Sequence, residues 1–266
     1  MIPGMEAAGV VDAVGSADTG LVPGDRVAFA MRLGTYAEYM VLGADRLVPV
    51  PDGLSGRLAA ASLLQGMTAQ FLSRDLCPAE AGAPVLVHAG AGGLGQLLIQ
   101  FLRRRGQRVI ATASTEAKLA VARQAGADEV INYATDDFAA ATRAMTGGTG
   151  VAVVYDSVGA STWQGSFDSV RRRGLVVLCG QSSGFVPPID PQMLRTKGSI
   201  GLVRPSLTDY IAERGELLSR AAEVFDGLKQ GWLRVRIEEE FPLEEAPSAH
   251  QRLESRETTG KLLLLP

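Results

Sequence analysis

Cysteine and histidine are nearly absent from this chain. Cys77 and Cys179 are the only thiols and His88 and His250 the only imidazoles in 266 residues. So few ligating side chains, so far apart, almost exclude a structural zinc site. They also leave no Ser-His-Asp or Cys-His arrangement to argue for. Both cysteines stand among apolar residues, as reduced, buried thiols of a cytoplasmic protein would. No apolar run approaches the ~18 residues of a membrane span. The start, Met1-Ile2-Pro3-Gly4-Met5-Glu6, lacks the basic-then-apolar pattern of a secretory signal. A basic surplus is missing too: 26 Lys+Arg face 29 Asp+Glu, a net charge of −3. That argues against a dedicated nucleic-acid binder, and with no apolar span a membrane partner is not expected either. Arg171-Arg172-Arg173 reads as a solvated helix end rather than a nucleic-acid patch.

Apolar side chains are plentiful, at 46%, and 31 glycines fall largely between short apolar runs. This is the punctuation of an alternating α/β chain. Residues 1 to about 60 read as β-rich. Strands are predicted at Ala7–Val11, Val27–Ala30, Gly34–Val41 and Arg46–Val50, with a turn at Pro23-Gly24-Asp25. Leu58–Leu64 and Thr68–Leu72 read as helix on either side of Gly66. From Pro84 onward strand and helix alternate. Six strands are expected, near 85–89, 109–112, 129–132, 151–155, 175–178 and 199–203, with helices near 94–105, 115–125, 137–145, 161–171 and 191–197. Six strands with five crossovers make a complete doubly wound parallel sheet. A long helix over about 210–230, a strand at 235–237, a helix at 244–254 and a strand at 261–265 complete the reading.

The strongest local signal is Gly90-Ala91-Gly92-Gly93-Leu94-Gly95, which satisfies G-x-G-x-x-G. A pyrophosphate must approach the backbone closely, and a Cβ would block it; the helix that follows offers free N–H groups and a positive dipole end. Alone, the pattern could be an ordinary tight turn. Here an apolar strand precedes it, and Leu94, Leu97, Leu98, Phe101 and Leu102 lie on one helical face after it. The second strand then ends in Ala111-Thr112-Ala113-Ser114-Thr115, without the acid that would bind a ribose 2′-hydroxyl. Ser114 and Lys118 suit a 2′-phosphate instead, so NADPH is favoured over NADH. His88 reads as a hydrogen-bonded core residue and His250 as structural or exposed. Asp156 ends a strand and either lines the cleft or caps a helix.

These residues carry a resemblance that runs end to end. Gly4-Met5-Glu6-Ala7-Ala8-Gly9, Pro23-Gly24-Asp25-Arg26-Val27, Gln65-Gly66-Met67-Thr68-Ala69, Val87–Gly95, Val130-Ile131-Asn132-Tyr133, Val154–Gly159 and Glu257-Thr258-Thr259-Gly260-Lys261 are similar to the motifs of the zinc-independent medium-chain dehydrogenases/reductases, in their NADPH:quinone oxidoreductase, or zeta-crystallin-like, group. The resemblance implies a Rossmann cofactor domain over 68–205 and a GroES-like β-barrel lobe from 1–67 and 206–266. It implies that Gly90, Ala91, Gly92, Gly93, Leu94 and Gly95 cradle the pyrophosphate. Ser114, Lys118, Tyr133 and Arg256 would hold the 2′-phosphate. Thr68, Gly180, Gln181, Ser182 and Val203 would lie near the nicotinamide and its ribose. Met5 stands where zinc-dependent relatives carry a histidine, so no metal is expected. The edge strand Ser199–Val203 would pair across a homodimer.

Family chains begin several strands upstream of Gly4–Gly9, so the lobe is expected to be incomplete at its N-terminal side. The implied activity is hydride transfer from NADPH to a quinone, with no metal and no side chain assigned as general acid. Reduction of an enal, enone or enoyl-thioester is the alternative within the superfamily. A non-enzymatic NADPH-binding role is the alternative outside it.

Overall fold

The computed structural model describes residues 2–16, 19–255 and 257–266. The chain divides into two units, one made of Met1–Phe71 with Leu207–Pro266 and the other of Leu72–Ser206. In the first, β1 (Glu6–Val10) pairs antiparallel with β2 (Arg26–Ala30), and β2 with β3 (Val48–Pro49). The strand expected at 34–41 does not form. Arg32, Gly34 and Tyr36 donate isolated N–H bonds to Met5, Gly4 and Pro3, but no ladder follows. Tyr39 and Val41 are left 76% and 99% exposed. Aromatic and β-branched residues favour a strand only where a neighbouring strand pairs with them. The strand expected at 46–50 shrinks because Ala44–Arg46 makes a 3-10 turn, with the Arg46 guanidinium donating to the Ile211 and Ala212 carbonyls.

The two helical stretches around Gly66 are one helix, α1 (Gly56–Arg74). Gly66 does not break it. A Cβ there would stand 2.8 Å from Val224 Cγ1, so glycine serves the approach of a second helix. Glu6 meets Lys261 in a half-buried ion pair, and its other carboxylate oxygen accepts the Leu64 N–H at 3.2 Å.

The second unit alternates as the apolar runs dictate: β4 (Pro84–Val87), α2 (Gly93–Arg104), β5 (Arg108–Ala113), α3 (Glu116–Gln124), β6 (Glu129–Asn132), α4 (Phe138–Met145), β7 (Val151–Asp156), α5 (Trp163–Ser169), β8 (Val170–Leu178), α6 (Pro191–Thr196) and β9 (Gly201–Val203). The six strands form one parallel sheet in the order β6-β5-β4-β7-β8-β9. Parallel strands are covered on both faces, which is why β4 and β7 read as unbroken apolar runs. Leu97, Leu98, Phe101 and Leu102 turn the inner face of α2 into this core, each at most 2% exposed. Thr115, Asp137 and Asp190 cap α3, α4 and α6 with side-chain oxygens.

Back in the first unit, the long helix expected over 210–230 is two helices, α7 (Leu207–Tyr210) and α8 (Arg214–Lys229). Carbonyls at the break are taken by arginines: Tyr210 by Arg220, Ile211 and Ala212 by Arg46. β10 (Ile237–Pro242) lies parallel to β11 (Lys261–Leu265), with α9 (Ala246–Glu254) between them in sequence. Among the described residues, no helix is long and apolar enough to cross a membrane.

Candidate functional site

The strand order reverses between β4 and β7: the chain winds outward to β6, returns, and winds outward again to β9. Loops leaving neighbouring strands in opposite directions open a crevice at their C-terminal ends, where such sheets bind ligands. The glycine-rich segment leaves β4 at this point. Ala89 takes a positive φ of 51°, and its carbonyl accepts the Gly92 N–H at 2.9 Å. Gln96 clips the turn from inside, donating to the Ala91 carbonyl at 2.7 Å.

Two of these glycines are required by contact. A Cβ on Gly90 would stand 2.8 Å from Ala111 Cβ and 3.2 Å from Ala122 Cβ, pinching β5 and α3. A Cβ on Gly95 would overlap the Ala89 carbonyl oxygen and approach Gly90 Cα to 2.9 Å. Gly92 caps α2 with no side-chain hydrogen bond. The first-turn N–H groups of Gly93, Leu94 and Gly95 therefore find no side-chain acceptor at the cap and supply the positive end of the helix dipole. This glycine cradle beneath an uncapped helix start fits a phosphate group.

Along the same sheet edge, Ser114 follows β5 and Tyr133 follows β6. The Tyr133 N–H donates to the Ala113 carbonyl at 3.1 Å, so the two side chains leave adjacent strand ends, with Tyr133 43% exposed. Lys118 sits in the first turn of α3, its N–H accepted by Thr115 Oγ1. No acid stands at the end of β5. Glu116 is the first, and it pairs with Arg123 at 3.8 Å. Ser114, Lys118 and Tyr133 thus share one end of the edge.

On the other side of the crevice, Gly180, Gln181 and Ser182 follow β8. Their backbone is bonded to the loop after β7: Gly180 to the Asp156 carbonyl, Ser182 to Ser157, and Ser183 to Val158. Val203 ends β9, opposite Val177. Arg204, which sequence reasoning passed over, bridges this end by donating to the Leu178 carbonyl at 3.0 Å and to Gln181 Oε1 at 3.2 Å. Its position one residue past the edge strand was the available signal. Thr68 belongs to the other unit, on α1, where its hydroxyl donates to the Leu64 carbonyl at 2.7 Å. That bond uses the hydroxyl proton and leaves oxygen lone pairs for any donor. Arg256 lies outside the described residues.

Sequence reasoning also missed a polar core under the crevice. Asp156 is fully buried. Its carboxylate accepts the Val158 and Gly159 N–H groups at 2.9 Å each, the Thr162 hydroxyl at 2.8 Å and the Ser166 hydroxyl at 2.7 Å. It braces the loop it begins rather than capping α5, whose N-cap is Thr162. His88, 1% exposed, reaches Thr112 Oγ1 with Nδ1 at 2.9 Å and Ser166 Oγ with Nε2 at 3.1 Å. Burial pushes the His88 pKa below its ordinary value, and the Asp156 charge opposes that only partly. Burial likewise raises the Cys179 thiol to about 12, with Asp156 adding to the shift, so Cys179 stays protonated and is no nucleophile. His250 is exposed on α9, 3.0 Å from the Tyr36 hydroxyl. Among the described residues, no three His, Cys, Asp or Glu side chains cluster in a way that could hold a metal.

Comparison with known proteins bears directly on this site. Residues 1–52 match an alcohol dehydrogenase GroES-like domain, and residues 93–219 a zinc-binding dehydrogenase domain. A quinone oxidoreductase of Pseudomonas aeruginosa is 42% identical over 264 residues, covering 99% of this chain and 81% of that protein. The chain belongs to the quinone oxidoreductase family. A 2-haloacrylate reductase of a Burkholderia species is 40% identical over 270 residues, covering all of this chain and 81% of the relative. The solved structure of the Escherichia coli quinone oxidoreductase, complexed with NADPH, superposes with a TM-score of 0.96 at 40% identity, over 99% of this chain and 82% of that one.

Proposed function

We propose that this family member is an NADPH-dependent reductase that passes hydride to a quinone. The observation that carries the reading is the glycine cradle and uncapped helix start at the β4–β7 crevice, flanked by Ser114, Lys118 and Tyr133 with no acid at the end of β5. NADPH, when bound, supplies the hydride at nicotinamide C4. Leu72–Ser206 serves as its domain, and Met1–Phe71 with Leu207–Pro266 as the acceptor lobe. The Gly93, Leu94 and Gly95 N–H groups hold the pyrophosphate. Ser114 and Tyr133 offer hydroxyls, and Lys118 an ammonium, to the 2′-phosphate. Gly180–Ser182 and Val203 border the ribose and ring.

No side chain is assigned to protonate the product. The Asp156 carboxylate is saturated by its donors, and a hydroquinone anion takes its proton from solvent. The chain's contribution is orientation and exclusion of water. The protein works as a cytoplasmic homodimer, paired through the Ser199–Val203 edge. This reading is supported by two free thiols and by a β9 whose only partner among the described strands is β8. The 2-haloacrylate reductase relative favours a second reading, reduction of a conjugated carbonyl.

NADPH oxidation with benzoquinone, naphthoquinone, a 2-alkenal, crotonyl-CoA and 2-chloroacrylate separates the two. Turnover with quinones is the expected result. Turnover confined to the alkenes selects the second reading. Binding of NADPH without oxidation by any acceptor leaves a non-enzymatic binder.

A further inference from the structure

The polar core beneath the crevice has a direction. An ionised carboxylate accepts hydrogen bonds and cannot donate. Asp156 receives two N–H groups, from Val158 and Gly159, and the Thr162 and Ser166 hydroxyls. Ser166 has one hydroxyl proton, and at 2.7 Å from Asp156 Oδ2 that proton is committed. Toward His88 the Ser166 oxygen can then only accept, so the proton lies on His88 Nε2. In a neutral imidazole Nδ1 is then an acceptor, and the Thr112 hydroxyl donates to it at 2.9 Å. Burial, which holds His88 below its ordinary pKa, keeps the ring neutral. The order is fixed from end to end: Thr112 to His88, His88 to Ser166, Ser166 to Asp156.

We propose that His88, held in its Nε2–H form by this chain, is a positioning residue for the dinucleotide, setting the phosphate turn and the loops after β7 and β8 in register across the crevice. The proposal rests on the dinucleotide reading of the site. His88 immediately precedes Ala89, whose positive φ starts the turn and whose carbonyl takes the Gly92 N–H. The His88 backbone is bonded to β7 and to the loop after it: its N–H donates to the Tyr155 carbonyl at 3.0 Å, and its carbonyl accepts the Ser157 hydroxyl at 3.4 Å. Asp156, at the other end, holds the 157–159 loop with its side chain. Its own carbonyl takes the Cys179 and Gly180 N–H groups. The side chains come from the turn after β4, from β5 and β7, and from α5 with its N-cap, and all are at most 7% exposed. No rotation to water can replace a lost partner, so each deletion strands a buried donor or acceptor.

Thr112→Val keeps the volume and removes only the donor; Thr112→Ser keeps the donor. Thr112→Val is expected to weaken NADPH binding about tenfold, the effect of stranding one buried acceptor. Its kcat at saturating NADPH should stay within about twofold of the wild type, and Thr112→Ser should restore binding. Equal affinities in Thr112→Val and wild type, or a Thr112→Ser as weak as Thr112→Val, overturn the proposal.

Nitrogen NMR on the wild-type protein labelled at histidine reads the tautomer without relying on any variant. A protonated Nε2 with a bare Nδ1 is expected at neutral pH; the opposite tautomer or an imidazolium refutes the chain. If the wild type takes up no NADPH at all, the dinucleotide reading fails and the proposal with it. If the wild type binds and Thr112→Val binds equally well, only the proposal fails.

Discussion

Replacing Gly95 by alanine puts one methyl group where the backbone leaves no room. The new Cβ would overlap the Ala89 carbonyl oxygen and stand 2.9 Å from Gly90 Cα and 3.0 Å from Ala89 C. All three are main-chain atoms of the turn, so no side chain can swing aside. Either the start of α2 moves outward or the turn deforms. Overpacking of this kind costs about 1–3 kcal/mol, offset by roughly 1 kcal/mol because alanine favours a helix over glycine. The net loss of stability is therefore modest, about 0–2 kcal/mol, which in a protein of this size lowers Tm by only a few degrees.

Affinity should suffer far more. The displaced N–H groups are the ones offered to phosphate, and a charge-assisted hydrogen bond is worth about 1.5–3 kcal/mol. NADPH affinity is expected to fall between about tenfold and a hundredfold, read by fluorescence titration on protein shown to be folded by circular dichroism. Gly92→Ala is the control for stability alone: its Cβ would meet only the Ala89 oxygen, at 3.2 Å, and should lower Tm less than Gly95→Ala does. A Gly95→Ala protein that binds NADPH as tightly as the wild type refutes the placement of the phosphates on this turn.

Lys118→Ala should raise the NADPH dissociation constant about tenfold and leave that of NADH nearly unchanged; equal small effects on both would remove Lys118 from the 2′-phosphate. Acidification gives a prediction with a definite sign. Folded His88 has a pKa below 6.5, so as pH falls through 6.5 the unfolded chain takes up a proton that the folded one does not. Stability is therefore complete above that value and declines below it. Glu238 is also lowered: burial works against the shift, but bonds from Thr259 and the charge of Arg252 outweigh it. Its contribution is lost only in stronger acid, below 4.5. Urea midpoints measured through this range should drop as pH falls below 6.5 in the wild type and flatten there in His88→Gln. Identical slopes in both proteins would contradict the assignment.

What was legible in the sequence was local or periodic. β6 and β11 occupy the predicted residues, and β4, β5 and β7 lie within one or two, because strands buried on both faces appear as unbroken apolar runs. The glycine turn was legible because all its parts are consecutive. Gly34–Val41 was misread because strand-like side chains say nothing about whether a partner strand is alongside. The break at Ile211–Glu213 was invisible because it carries no glycine or proline. The arginines that take its carbonyls, Arg46 and Arg220, lie far off or on the next helix. The Asp156 core was out of reach for a similar reason: His88, Thr112, Asp156 and Ser166 come from four elements, and only the sheet order brings them together.

The crowding around Gly90 has an evolutionary consequence. Its missing methyl is matched by Ala111 and Ala122, each already reduced to a single carbon. Enlarging any of the three first closes the space the other two depend on. A substitution at Gly90 becomes admissible only after Ala111 has itself become glycine. The order of change is thus constrained, and drift along this seam should proceed by paired exchanges rather than by independent steps.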